Sequence, residues 1–194
     1  AKQALYVLDV WDEGRWILPV ERETEPATKP PLFTWLVVAF SVPFGRPTEL
    51  SCRLPSVVAA IALTWLVFII GRERWSTSVG VAAAWVLATA HTAARLAIHV
   101  RPDMVLTLLT TAALFALHRL ERGRGRGMIG LFWIATCLSI LAKGPPGPLV
   151  IGAALLVLSA SREWRRLFRE RLLSPWMMAL IVPPLPAPSR PSKM

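Results

Sequence analysis

The sequence predicts an all-α polytopic membrane protein, with interfacial helices ahead of the first complete span. Three observations carry that expectation. The apolar residues, 54% of a 194-residue chain, are gathered into long blocks. Most of the arginines fall in short clusters between the blocks rather than within them. Two blocks separate each arginine cluster from the next, as in a chain that crosses a bilayer and returns.

The charge balance is read in the same frame. A formal net charge of +10 would suit a nucleic-acid binder, but the basic clusters lie between membrane-length runs, so no nucleic-acid partner is expected. The two cysteines, Cys52 and Cys137, follow no metal or redox spacing, and Cys137 is expected to be a buried thiol inside an apolar run. The chain opens on "AKQALYVLDVWDEGRW", with no start methionine or leader pattern, and closes on "PPLPAPSRPSKM". Both ends are expected to be cuts in a longer protein, and residues 183–194 to be a disordered Pro-rich tail.

Taken in order, "AKQALYVLDVW" reads as a short surface helix. The run from Leu32 to Phe44 follows "ATKPP" and stops at "GRP". It is too short to cross, since a crossing needs about 20 apolar residues. It reads as an interfacial or re-entrant helix whose start is set by Pro30–Pro31, with Trp35 suited to the headgroup level. Four full spans are expected: Leu54–Gly71, Thr77–Ile98, Met104–His118 and Met128–Ala142. Thr77–Ile98 is only half apolar in its later part, which carries His91 and Arg95. Leu149–Ala160 is a shorter fifth run that borrows the preceding prolines, and "LLSPWMMALIVPP" is a weak sixth. The expected organisation is therefore a loop region over 1–53, five to six transmembrane helices over 54–182, and the tail.

Sidedness follows from the arginines. The clusters Arg72/Arg74, Arg119/Arg122/Arg124/Arg126 and Arg162/Arg165/Arg166/Arg169/Arg171 all fall on one side, and the positive-inside rule makes that side cytoplasmic. A crossing at Leu32–Phe44 would invert every later loop. The extracytoplasmic rim then collects Lys29, Arg53, Arg101, Asp103 and Lys143, with Arg95 and His99 nearby. Each has an ordinary structural use. Asp103 follows Pro102 as a first-turn acid, Lys143 can snorkel at a span end, and Arg53 can anchor to headgroups. Together they run against the scarcity of cations expected on that side, and they point to an anionic ligand at the membrane surface. A phosphate attached to a lipid fits, with cations on the phosphate and an apolar groove for the tail.

Four stretches, "TKPPLFTWL", "CRLPSVVAAIA", "VRPDMVLTLLT" and "LAKGPPGPLV", resemble the membrane-embedded GT-C glycosyltransferases in order and spacing. The similarity is strongest to bacterial relatives of protein O-mannosyltransferases and lipid A aminoarabinose transferases. "GRWILP" resembles the Gly-x-Trp-x-x-Pro element that precedes the family's lysine. The resemblance implies a GT-C-type transmembrane bundle in a bacterial inner membrane, with its motifs facing the extracytoplasmic side. It implies transfer of a sugar, with inversion, from a polyprenyl-phosphate donor to a protein, lipid or glycan acceptor. It also implies that Lys29, Arg53, Arg101, Asp103 and Lys143 line the donor cavity, where basic groups meet the charge that develops on the leaving phosphate.

The family's catalytic carboxylate belongs to an Asp-Glu pair upstream of the Gly-x-Trp element, a spacing that falls just before Ala1. No catalytic base is therefore assigned within this chain, which by itself is expected to be inactive. Asp12–Glu13 lie too close to Trp16 to replace the pair. The position before the family's lysine, often acidic, holds Thr28, with Glu25 the nearest acid upstream, and a divalent metal stays an open cofactor. Two other readings stand beside this one. One is a transporter or channel subunit using Asp103, His91 and His99 as an ion path. The other is a catalytically incomplete remnant.

Overall fold

The computed structural model describes residues 2–17, 20–21, 25–26, 30–122 and 126–159. Through Leu155 these form one compact unit; Leu156–Ser159 belong to a second, described only as the last residues of a helix. Eight α-helices occur among the described residues: α1 Lys2–Glu13, α2 Leu32–Ser41, α3 Glu49–Arg74, α4 Thr77–Thr89, α5 His91–Ile98, α6 Asp103–Glu121, α7 Arg126–Lys143 and α8 Pro146–Ser159. Between α1 and α2, Val20–Glu21 (β1) and Glu25–Pro26 (β2) pair as a minimal antiparallel ribbon. Lys29, Thr28, the Arg162–Arg171 cluster, the sixth apolar run and the tail lie outside the described residues.

The expected all-α membrane bundle is what the chain forms, but its spans differ in kind. Glu49–Arg74 and Asp103–Leu120 are long and apolar enough to cross a bilayer. The α3 helix starts at Glu49 rather than Leu54 because Thr48 and Ser51 make a reciprocal capping box, each side chain holding the other's backbone N–H. At 26 residues it is about 39 Å long. The expected span Thr77–Ile98 is not one straight helix. It breaks at Ala90, which takes an extended conformation, and its halves α4 and α5 are bent by 60°. Extending α4 straight on would carry Arg95 and His99 along the axis of an apolar helix, and the bend turns them aside. Met128–Ala142 lies in α7 and Leu149–Ala160 overlaps α8, both shorter apolar helices, and α8 takes in Pro146 at its first position.

The core runs through α1, α2, α3, α6 and α7. Val7 and Val10 meet Phe33, Val37 and Val38, then Cys52, Ala59, Leu63, Met104, Val105 and Ala142. The short Leu32–Phe44 segment, read as unable to cross, is a ten-residue helix plus one 3₁₀ turn, with Phe33 and Val37 fully covered. Ser41 and Ser51, both buried, share a hydrogen bond of 2.8 Å that joins the end of α2 to the start of α3. The surface helix expected at the start also packs inward, through Tyr6, Val7 and Val10. Cys137, expected to be buried, is exposed, because α7 turns Phe132, Ala135, Ser139 and Ala142 toward the bundle. Where α3 and α4 cross, Gly71 and Gly80 touch. A Cβ on Gly80 would lie 2.6 Å from the Phe68 carbonyl oxygen, so these backbones approach only without side chains.

Candidate functional site

Three of the five expected site residues meet at one end of the bundle. Pro102, buried, caps α6, so Asp103 opens that helix with its carboxylate at the positive end of the dipole. Lys143 is the last residue of α7. Gly144 follows at φ +80°, in the left-handed region, and its N–H reaches the Ile140 carbonyl at 2.7 Å to close the helix. That stop leaves the Lys143 ammonium beside the start of α6, where it bonds to Asp103 Oδ1. Arg101 approaches the other oxygen, its Nε 3.3 Å from Asp103 Oδ2. One carboxylate thus holds two cations from segments forty residues apart.

The turn carrying Arg101 is pinned from α3. Ser56, fully buried, aims its hydroxyl at the carbonyls of His99 and Arg101, 3.2 and 3.1 Å away. Its place in "CRLPS" makes this motif a brace for "VRPD". Arg53 is not part of the cluster. Lying in the second turn of α3 instead of ahead of a span, it bonds to Glu49, four residues back. The early capping box puts that acid within its reach.

The ground around the cluster has two characters. A groove of about 630 Å³ opens between α3, α4, α5 and the first residues of α6, lined by Trp65, Phe68, Trp85, Ala94 and Met104 among other apolar groups. A second recess, of about 220 Å³, is formed by Thr92, Arg95, Leu96, His99 and Arg101. Among the described residues no three His, Cys, Asp or Glu side chains lie where they could hold a metal ion, and Asp103 already faces two cations. The described cluster does not fit a divalent metal.

At the opposite end of the bundle, Glu73 near the end of α3 takes Arg119 of α6, and Arg122 donates to the Glu73 carbonyl at 3.3 Å. Among the described residues, Arg119 and Arg122 thus gather at the end of α3 opposite the one where Arg101, Asp103 and Lys143 meet.

Comparison with known proteins gives this arrangement a context. The family model described as "Dolichyl-phosphate-mannose-protein mannosyltransferase" matches residues 28–187. The chain belongs to that family. Among solved structures, it is similar to ArnT from Cupriavidus metallidurans in the apo state, with a TM-score of 0.77 and 22% identity over 94% of this chain. That likeness shows the fold, the expected GT-C bundle, and the chain spans 35% of the length of the ArnT chain. No curated protein matches.

The motifs "RPD" and "KGP" contain the three residues that meet, but not the groups that position them. Ser56 was visible in its motif, yet a serine inside an apolar run carries no signal of which carbonyls it will meet. Glu49 was a missed partner of Arg53, recoverable from the i, i+4 spacing of opposite charges. The Trp35 indole, expected at headgroup level, donates to the Trp16 carbonyl at 2.7 Å, which ties "GRW" to "FTW".

Proposed function

We propose that this chain supplies the donor-binding part of a membrane glycosyltransferase that moves a sugar from a polyprenyl phosphate to an acceptor at the extracytoplasmic surface, with inversion. The observation that carries the reading is the joining of Arg101, Asp103 and Lys143 by elements distant in sequence. As the bond from the anomeric carbon to the phosphate oxygen breaks, negative charge grows on that oxygen. Cations fixed in advance stabilise it without reorganising. Asp103 holds Arg101 and Lys143 in place, and Lys29 precedes in sequence the prolines that open α2, the helix packed against this end. The apolar groove beside Met104 supports a lipid carrier over a soluble donor. The acceptor proton goes to a carboxylate that this reading puts upstream of Ala1. The sugar named in the family's description, mannose carried on dolichyl phosphate, is the first donor to try, with protein and envelope lipid or glycan as acceptors.

The test is turnover of a polyprenyl-phosphate sugar by the intact membrane protein and by its Lys29→Ala variant. Transfer abolished in a variant that still folds supports the reading. Unchanged transfer takes Lys29 out of the site, and no transfer by the unaltered protein with any polyprenyl-phosphate sugar overturns the function.

A further inference from the structure

We infer that Arg95, His99 and Arg101 form a second anion-binding site, for a phosphate group, on the face of α5 turned away from the apolar groove. The α5 helix is two-sided: Ala93, Ala94 and Ala97 line the groove, whereas Thr92, Arg95, Leu96 and His99 line the 220 Å³ recess. At 100° per residue the two sets point in opposite directions. The recess is therefore not the mouth of the groove.

Its positive charge exceeds the negative charge of the acids described around it. Asp103 is taken up by Arg101 and Lys143, and Glu49 by Arg53, while Arg95 and His99 have no described acid beside them. His99 is oriented. Its Nδ1 lies 2.6 Å from the Arg95 carbonyl, which can only accept, so Nδ1 carries a proton and Nε2 is left as an acceptor for a ligand hydroxyl. Two arginines and the Thr92 hydroxyl at one recess can donate to the several acceptor oxygens of a tetrahedral phosphate, while His99 Nε2 can accept from a phosphate hydroxyl, a mixed set that suits phosphate better than a carboxylate. The source of the phosphate is either a free ion or the headgroup of a membrane lipid, with the same chemistry. The site does not rest on the transferase reading, since binding is measured without turnover.

The experiment uses intact protein in an uncharged detergent, with isotope-labelled histidine. The chain has three histidines, and His99→Asn assigns the ring signal. Inorganic phosphate is expected to shift the His99 signal saturably, and Arg95→Gln to weaken that binding by about tenfold, the scale of one lost charge-assisted bond. Arg74→Gln, at the other end of α3, is expected to leave it unchanged. Short-chain phosphatidylglycerol then separates the sources. A shift at much lower concentration than free phosphate makes the site a headgroup site, and a shift with phosphate alone makes it a site for the soluble ion. A His99 signal unmoved by both ligands in the unaltered protein overturns the inference, as does undiminished phosphate binding by folded Arg95→Gln. If Arg95→Gln does not fold, the titration of the unaltered protein decides alone.

Discussion

At each end of the bundle a carboxylate holds a cation from another helix, and the two ends put the same ingredients to different use. Asp103 and Glu73 are equally covered, both 18% exposed. Their partners are not. Arg119 is 24% exposed and lies over the Phe115 ring at 4.5 Å, so its guanidinium is enclosed by protein. Arg101 is 57% and Lys143 37% exposed, and Arg95 stands nearby with no described acid beside it. The Glu73 end is closed, and its charges serve to join α3 to α6. At the Asp103 end the carboxylate gathers cations that still face outward. Composition alone does not tell these apart; exposure and charge balance do.

Five substitutions would break or sharpen this contrast. The largest effect is expected at the closed end, where Gly80→Leu forces α4 off α3 and should lower stability in detergent by about 3 kcal/mol, measured by denaturant or thermal unfolding. A smaller and more informative pair comes next. Glu73→Gln and Asp103→Asn should each cost about 2 kcal/mol, because each leaves a partly buried cation without its partner. Their effects on transfer should differ, with Asp103→Asn slowing turnover of a polyprenyl-phosphate sugar at least tenfold and Glu73→Gln staying within about twofold. Equal losses of transfer would erase the distinction between the ends.

Ser56→Ala should cost about 1 kcal/mol, through the two carbonyls it leaves without their buried hydroxyl. It should also slow transfer several-fold by loosening the turn that carries Arg101, and a fall in stability with unaltered transfer would make Ser56 a structural brace only. The smallest stability change belongs to Arg53→Gln, within about 0.5 kcal/mol, because its bond to Glu49 is an exposed one-turn pair. A strong loss of transfer there, at unchanged melting temperature, would return Arg53 to the donor site.

Much of this was legible in the chain. The alternation of apolar blocks and arginine clusters told of a helical membrane bundle, since continuous apolar runs of this length suit helices, which satisfy their backbone hydrogen bonds within one segment, rather than the shorter alternating strands of a closed barrel. The motifs "RPD" and "KGP" were legible as helix ends, because Pro starts and Gly stops a helix for local steric reasons. The bend at Ala90 was not. No Pro or Gly marks it, and only the contrast between the apolar α4 sequence and the polar residues of "HTAARLAIH" hinted at a change. The start of α3 was misjudged for a related reason: hydropathy marks where lipid begins, whereas a capping box marks where the helix begins.

What the sequence determined by itself is therefore what depends on neighbours along the chain: the all-α class, most helix ends, and the family signature. What only the tertiary structure decided is which of those cations share a carboxylate. Lys143 reaches Asp103 across forty residues because α6 and α7 pack antiparallel, and Arg101 is held there by a serine on a third helix. Such contacts are fixed by the packing of whole helices, whose geometry is a property of all their side chains together.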